Sequence, residues 1–185
     1  MATTIKPLPK TKNARVKRAL DNIIKRVSVQ IPTINYGGCG LFAAELVKRL
    51  KTNGIRSAGL RVYSFDDPGV NVSEAETFVR ANNSQGDLNA WNANGVTFDH
   101  VRVEWNKRFW DGEFSESTDW RAIDPYETNG NMAIQSGEVS LESLEALLVD
   151  KWNWNSTFDR DMYLPKLKAI MDHCFMDAGL KTLAA

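Results

Sequence analysis

Gly37-Gly38-Cys39-Gly40 stands directly before the apolar run Leu41-Phe42-Ala43-Ala44-Glu45-Leu46-Val47-Lys48-Arg49-Leu50. The apolar residues recur at helical spacing, which predicts a buried helix with Cys39 in its first turn. Paired glycines allow a tight entry and let another backbone come close. A thiol in that place meets unpaired backbone N–H groups and the positive end of the helix dipole. Both favour the thiolate, the form that attacks carbonyl carbon. A cysteine on its own is more often a small buried hydrophobe, so the motif needs partners before it implies chemistry.

Only two histidines are present, and one lies in Phe98-Asp99-His100-Val101-Arg102-Val103-Glu104-Trp105. Alternation predicts a strand with Val101, Val103 and Trp105 on one face and His100, Arg102 and Glu104 on the other. Further along, Trp120-Arg121-Ala122-Ile123-Asp124-Pro125-Tyr126 reads as a short strand closed by an Asp-Pro turn. The chain order is therefore Cys39, His100, Asp124. A thiol nucleophile needs these functions: an imidazole to take its proton, and a carboxylate to hold that imidazole in one tautomer. Taken singly, His100 reads as a half-exposed strand histidine and Asp124 as a turn residue, and the combination is what points to a site.

These motifs resemble the transglutaminase-like branch of the papain-like thiol fold. In that family a Gly-x-Cys helix start precedes a His-x-x-x-Glu strand and then a Trp-x-x-x-Asp-Pro strand. The similarity runs from about Tyr36 to Tyr126 and includes Asn53-Gly54-Ile55-Arg56-Ser57-Ala58, which is similar to the turn after the family's cysteine helix. The Cys-Gly-Leu start and His-Val-x-Val strand are also similar to bacterial wall hydrolases with the same core. The resemblance implies Cys39 as nucleophile, His100 as general base and acid, and Asp124 as the orienting carboxylate. Papain-like enzymes commonly place a glutamine shortly before the cysteine to donate to the oxyanion. Here Asn35, Gln30 and Tyr36 are the candidates, beside the Cys39 backbone N–H. Gly38 and Trp91 are candidate substrate-binding positions, Trp91 from the polar stretch 82–94 ahead of His100.

His173-Cys174 is the second His/Cys pair, in a helical pattern from Tyr163 to Met176. Adjacent helix residues do not face each other, and Leu167, Ile170, Met171, Cys174 and Phe175 form one apolar stripe. Cys174 is therefore expected in the core. The scattered cysteines and histidines lack zinc-site spacing, so neither a metal nor another cofactor is expected.

With 185 residues and 43% apolar content, the chain fits one domain. Its expected parts are a basic N-terminal helical extension (1–30), a Cys-His-Asp core (31–135) and C-terminal helices (136–185). No run approaches a membrane span, no apolar leader follows Met1, and two cysteines with separate roles argue against a disulfide framework. A cytoplasmic setting is expected. Net charge is zero but uneven: the first 30 residues hold eight bases against Asp21, leaving 15 bases and 22 acids elsewhere. Val16, Ala19, Leu20, Ile23, Ile24 and Val27 give that segment one apolar helical face. Its basic outer surface would meet an acidic partner, nucleic acid or the acidic remainder of the chain itself. Helices are also expected after Ser73 and Ser140.

The expected architecture is α+β: a papain-like or transglutaminase-like core with the cysteine helix on an antiparallel sheet, flanked by terminal helices. The expected activity is that of a cysteine peptidase or amidase acting on a protein or peptide through a Cys39 thioester. Protein-glutamine amine transfer is a close variant. The other class is a non-catalytic interaction or virion structural protein, a role that would suit a small phage product.

Overall fold

The computed structural model describes residues 8–32, 34–35, 38–66, 100–112, 133–142, 144–145 and 159–183, with backbone alone for 62–66 and 133–138. Tyr36, Gly37, Trp91, Asp124, the helix expected after Ser73 and the strand 120–126 lie outside the described residues.

Three long helices and a four-stranded antiparallel sheet dominate the described residues, which therefore mix helix and sheet as expected. α1 spans Lys12–Gln30, and Thr11 caps it by accepting from the Ala14 N–H at 3.3 Å. Its buried residues are Val16, Ala19, Leu20, Ile23, Ile24 and Val27, the face anticipated from spacing. Burying aliphatic side chains of this size contributes roughly 1.5–3 kcal/mol each. α2 spans Cys39–Thr52 and is buried on nearly all sides, which is why its sequence is apolar well beyond one stripe. It ends at Gly54, whose φ of +73° lets Gly54 N–H reach the Lys51 carbonyl and Ile55 N–H the Leu50 carbonyl.

After that turn comes β1 (Gly59–Asp66), followed by β2 (His100–Trp105), β3 (Arg108–Trp110) and β4 (Ala133–Val139). The sheet order is β3-β2-β1-β4. β4 crosses the division drawn at 135/136 from sequence, so that boundary falls within an element of the sheet. β2 and β3 form a hairpin through Asn106 and Lys107, both with positive φ (54° and 60°), as a two-residue turn matched to strand twist requires.

α3 (Arg160–Asp177) is capped by Asp159, which accepts from the Met162 N–H at 3.0 Å. It buries Leu167, Ile170, Met171, Cys174 and Phe175. α1 packs on α3, and α2 packs on β1, β2 and α3, so the core lies between the helices and one sheet face. Residues 141–142 and 144–145 are helical, after Ser140. No helix among the described residues is long and apolar enough to cross a membrane.

Candidate active site

Alternation along β2 sends His100 and Arg102 to one side and Val101 and Val103 to the other. Both sides are covered: His100 is 3% exposed and Arg102 fully buried. The polar residues are therefore not a solvated edge but a buried group that must find partners. Hairpin register supplies one. Val103 pairs with Trp110, and one further step places Asp111 across from Arg102, on the face that also carries His100.

The side chains meet there. Asp111 Oδ2 lies 3.4 Å from His100 Nε2 and 3.2 Å from Arg102 Nε, and its Oδ1 accepts from Asn35 Nδ2 at 3.4 Å. Asn35 comes from the turn after α1, where Ile34 N–H bonds the Ile31 carbonyl. Gly112 is what lets this turn approach: a Cβ on it would stand 2.4 Å from Ile34 Cγ2. Cys39, the first residue of α2, is 3% exposed and lies near enough to the His100 ring to favour its charged form.

Burial opposes charge on His100, but hydrogen bonding and charge from Asp111 and Cys39 outweigh it and push the imidazole up to about 9. The folded value exceeds the ordinary 6.5, so the stabilisation is complete below pH 6.5 and is lost as pH rises through about 9. At ~1.4 kcal/mol per unit, this amounts to ~3 kcal/mol. Urea unfolding from pH 6 to pH 10 is therefore expected to show a stability loss of that order that is absent in His100→Gln. Equal pH slopes in the two proteins would refute the charged pair.

The expected site residues fall in different places. Cys39 and His100 are brought together, and Gly38 is the N-cap of α2, its carbonyl accepting from Phe42 N–H at 2.9 Å. Asn35 reaches the site, but its amide donates to Asp111. Gln30 is exposed at the end of α1, where its main-chain carbonyl accepts from Lys166 Nζ at 3.0 Å, and no described contact joins it to Cys39. Among the described residues, the carboxylate touching His100 is Asp111, which the sequence reading did not single out. The signal available for it was the hairpin: a two-residue turn at Asn106-Lys107 fixes Asp111 opposite Arg102.

Elsewhere, Cys174 is fully buried, and burial with the nearby Asp177 charge pushes its thiol up against the opposing effect of Arg26. His173 points instead to Asp177, 3.1 Å away. Among the described residues no group of three or more His, Cys, Asp and Glu side chains could hold a metal ion. The basic face of α1 is partly matched within the molecule, with Lys17 3.1 Å from Asp21 and Arg26 3.8 Å from Asp177.

No family model, curated protein or solved structure matches the chain.

Proposed function

We propose that the protein is a thiol-dependent acyl-transfer enzyme, a cysteine peptidase or amidase on a papain-like core, with Cys39 as nucleophile, His100 as acid and base, and Asp111 as the carboxylate that orients His100. The observation that carries this reading is a buried histidine 3.4 Å from a buried aspartate, with the helix-start Cys39 beside it. A cysteine helix packed on an antiparallel sheet whose strand bears the histidine supports the papain-like part.

Cys39 Sγ attacks the carbonyl carbon of a peptide or isopeptide bond, and the carbonyl π electrons move to oxygen. Gly38 brings no side chain to cap α2, so first-turn N–H groups, that of Cys39 among them, are the donors for the oxyanion. As the tetrahedral intermediate collapses, the C–N bond breaks and the imidazolium gives its proton to the departing amine. His100 then takes a proton from water, whose oxygen attacks the thioester carbon. The C–S bond breaks, the acid leaves, and the thiolate–imidazolium pair returns. Asp111 takes no proton in this cycle; placed between Arg102 and His100, it holds the ring in position.

Iodoacetamide labelling, resolved by mass spectrometry for each cysteine, tests the site without a known substrate. At pH 6 Cys39 is expected to label at least about tenfold faster in the native protein than in His100→Ala, because the variant lacks the base beside the thiol. Cys174, whose thiol is pushed up by burial, should label more slowly than Cys39 at this pH. A Cys39 rate indifferent to His100 would overturn the catalytic reading and leave a binding role for this fold.

A further inference from the structure

Where α1 begins, α2 ends and the chain leaves α3, the surface opens into a cleft of about 550 Å3 lined by Lys10, Lys12, Arg15, Lys181, Asn53 and Gly54 among others. No carboxylate belongs to the lining, and none of the four bases pairs with one among the described residues. Its walls are tied down. Asn53 Nδ2 donates to the Lys181 carbonyl and Asn53 Oδ1 accepts from the Lys181 N–H, each at 2.8 Å, which pins the tail to the end of α2. Arg15 Nε donates to the Pro9 carbonyl at 2.9 Å and fixes the segment carrying Lys10. Gly54 and Gly179, with φ of +73° and +67°, leave bare backbone against which bases lie: Lys12 Nζ stands 3.2 Å from where a Gly54 Cβ would be, and Arg15 Nη1 3.6 Å from that of Gly179.

Cations do gather at helix C-termini, and the ends of α2 and α3 account for part of this arrangement. Those ends carry about half a negative charge each, and the start of α1 returns about half a positive one. Set against four cations, they leave a surplus of about three and a half positive charges. A surplus confined to a cleft this size suits a compact polyanion rather than a long one. Along α1 itself two of the bases are matched by carboxylates, Arg26 3.8 Å from Asp177 and Lys17 3.1 Å from Asp21. No aromatic side chain lines the cleft, so nothing there would stack a nucleobase.

We infer that this cleft is an anion site for a phosphate chain, that of an inorganic oligophosphate or of a nucleoside triphosphate, separate from the thiol site and independent of its chemistry. The probe is inorganic triphosphate, titrated calorimetrically into the full chain at low salt. Saturable binding of one triphosphate per chain is expected. Lys12→Gln/Lys181→Gln should weaken it at least about tenfold, and Lys12→Arg/Lys181→Arg should keep it within about threefold, because the charge is retained. A nucleoside triphosphate should bind within about threefold of triphosphate itself; much tighter binding would show a base pocket elsewhere and overturn the assignment. Absence of saturation up to about 5 mM, or undiminished affinity in Lys12→Gln/Lys181→Gln, would also overturn it. So would a DNA duplex displacing triphosphate with comparable affinity per phosphate, which would mark an open polyanion surface. Melting temperatures without ligand, and Cys39 labelling rates, should match those of the unsubstituted chain in every variant, keeping failure of this site distinct from failure of the thiol site.

Discussion

Asp111→Asn is expected to reduce Cys39-dependent activity by about 10²–10⁴-fold and to destabilise the fold by ~3–5 kcal/mol, two effects with different causes. The loss of activity follows from the imidazole. An aspartate can only accept from the ring, whereas an asparagine amide can turn its NH₂ to it and favour the opposite tautomer. The stability loss follows from Arg102, which is fully buried and lies 3.2 Å from Asp111. Its other described anchors are a 3.4 Å bond from Nη2 to the Phe109 carbonyl and the Phe109 ring, 5.7 Å from the guanidinium carbon. Without the aspartate its charge is buried and uncompensated.

A second variant separates the two. Asp111→Asn/Arg102→Met removes the stranded cation and should recover most of the lost stability in urea unfolding, while labelling of Cys39 and any peptidase activity stay low. Recovery of activity with stability would show that Asp111 only holds the fold. Asp124→Asn is the companion measurement, since the resemblance gives that residue the orienting role and Asp111 now claims it. Loss of labelling advantage in Asp124→Asn but not in Asp111→Asn would return the assignment to Asp124.

What could be read from sequence was what one element's own pattern determines. The apolar faces of α1 and α3 follow from helical spacing, because a stripe that recurs every third or fourth residue must be buried whatever covers it. Cys174 is a case of this: its neighbours on the stripe settle its burial without reference to any partner. The start of α2 at Cys39 and the two faces of β2 were legible for the same reason.

What escaped depends on pairing. β4, Ala133-Ile134-Gln135-Ser136-Gly137-Glu138-Val139, has weak alternation and a glycine inside, and it is a strand because β1 offers it an edge from Leu60 to Asp66. β3 is three residues long, and the turn that makes it uses Lys107 at a positive φ, where glycine would have advertised a hairpin. Missing that hairpin meant missing Asp111. Arg102 was placed on the face of His100, yet alternation alone gave no sign that this face would be buried. Its burial depends on segments far away in the chain, such as the Ile34-Asn35 turn that closes over Asp111 and Gly112.

The largest stability effect outside the site is expected at Arg49, a base within the apolar run of α2. It is 1% exposed and ties α2 to α3. Its Nη1 donates to Glu45 Oε2 at 2.8 Å and to the Glu45 carbonyl at 3.0 Å, its Nε to Asp172 Oδ1 at 2.8 Å, and its Nη2 to the Lys168 carbonyl at 3.4 Å. Arg49→Ala should lower the unfolding free energy by ~3–5 kcal/mol, because it strands Glu45 in the interior with Lys48 as its remaining described partner. The pH dependence identifies the cause. Burial alone would raise the Glu45 carboxyl, but hydrogen bonds from Arg49 and Lys48 bring it below the ordinary 4.5. In the unsubstituted protein its stabilisation is therefore present above pH 4.5 and is lost as pH falls through the lowered folded value. With Arg49 gone, burial prevails and the carboxyl rises above its unfolded value, so acid should relieve the variant. Denaturant midpoints are expected to show a smaller gap between the two proteins at pH 4 than at pH 7. Glu45→Gln/Arg49→Met should restore most of the loss at both. A gap that widens in acid, or a double variant no better than Arg49→Ala, would mean that the cost comes from lost packing of the arginine stem and not from the stranded carboxylate.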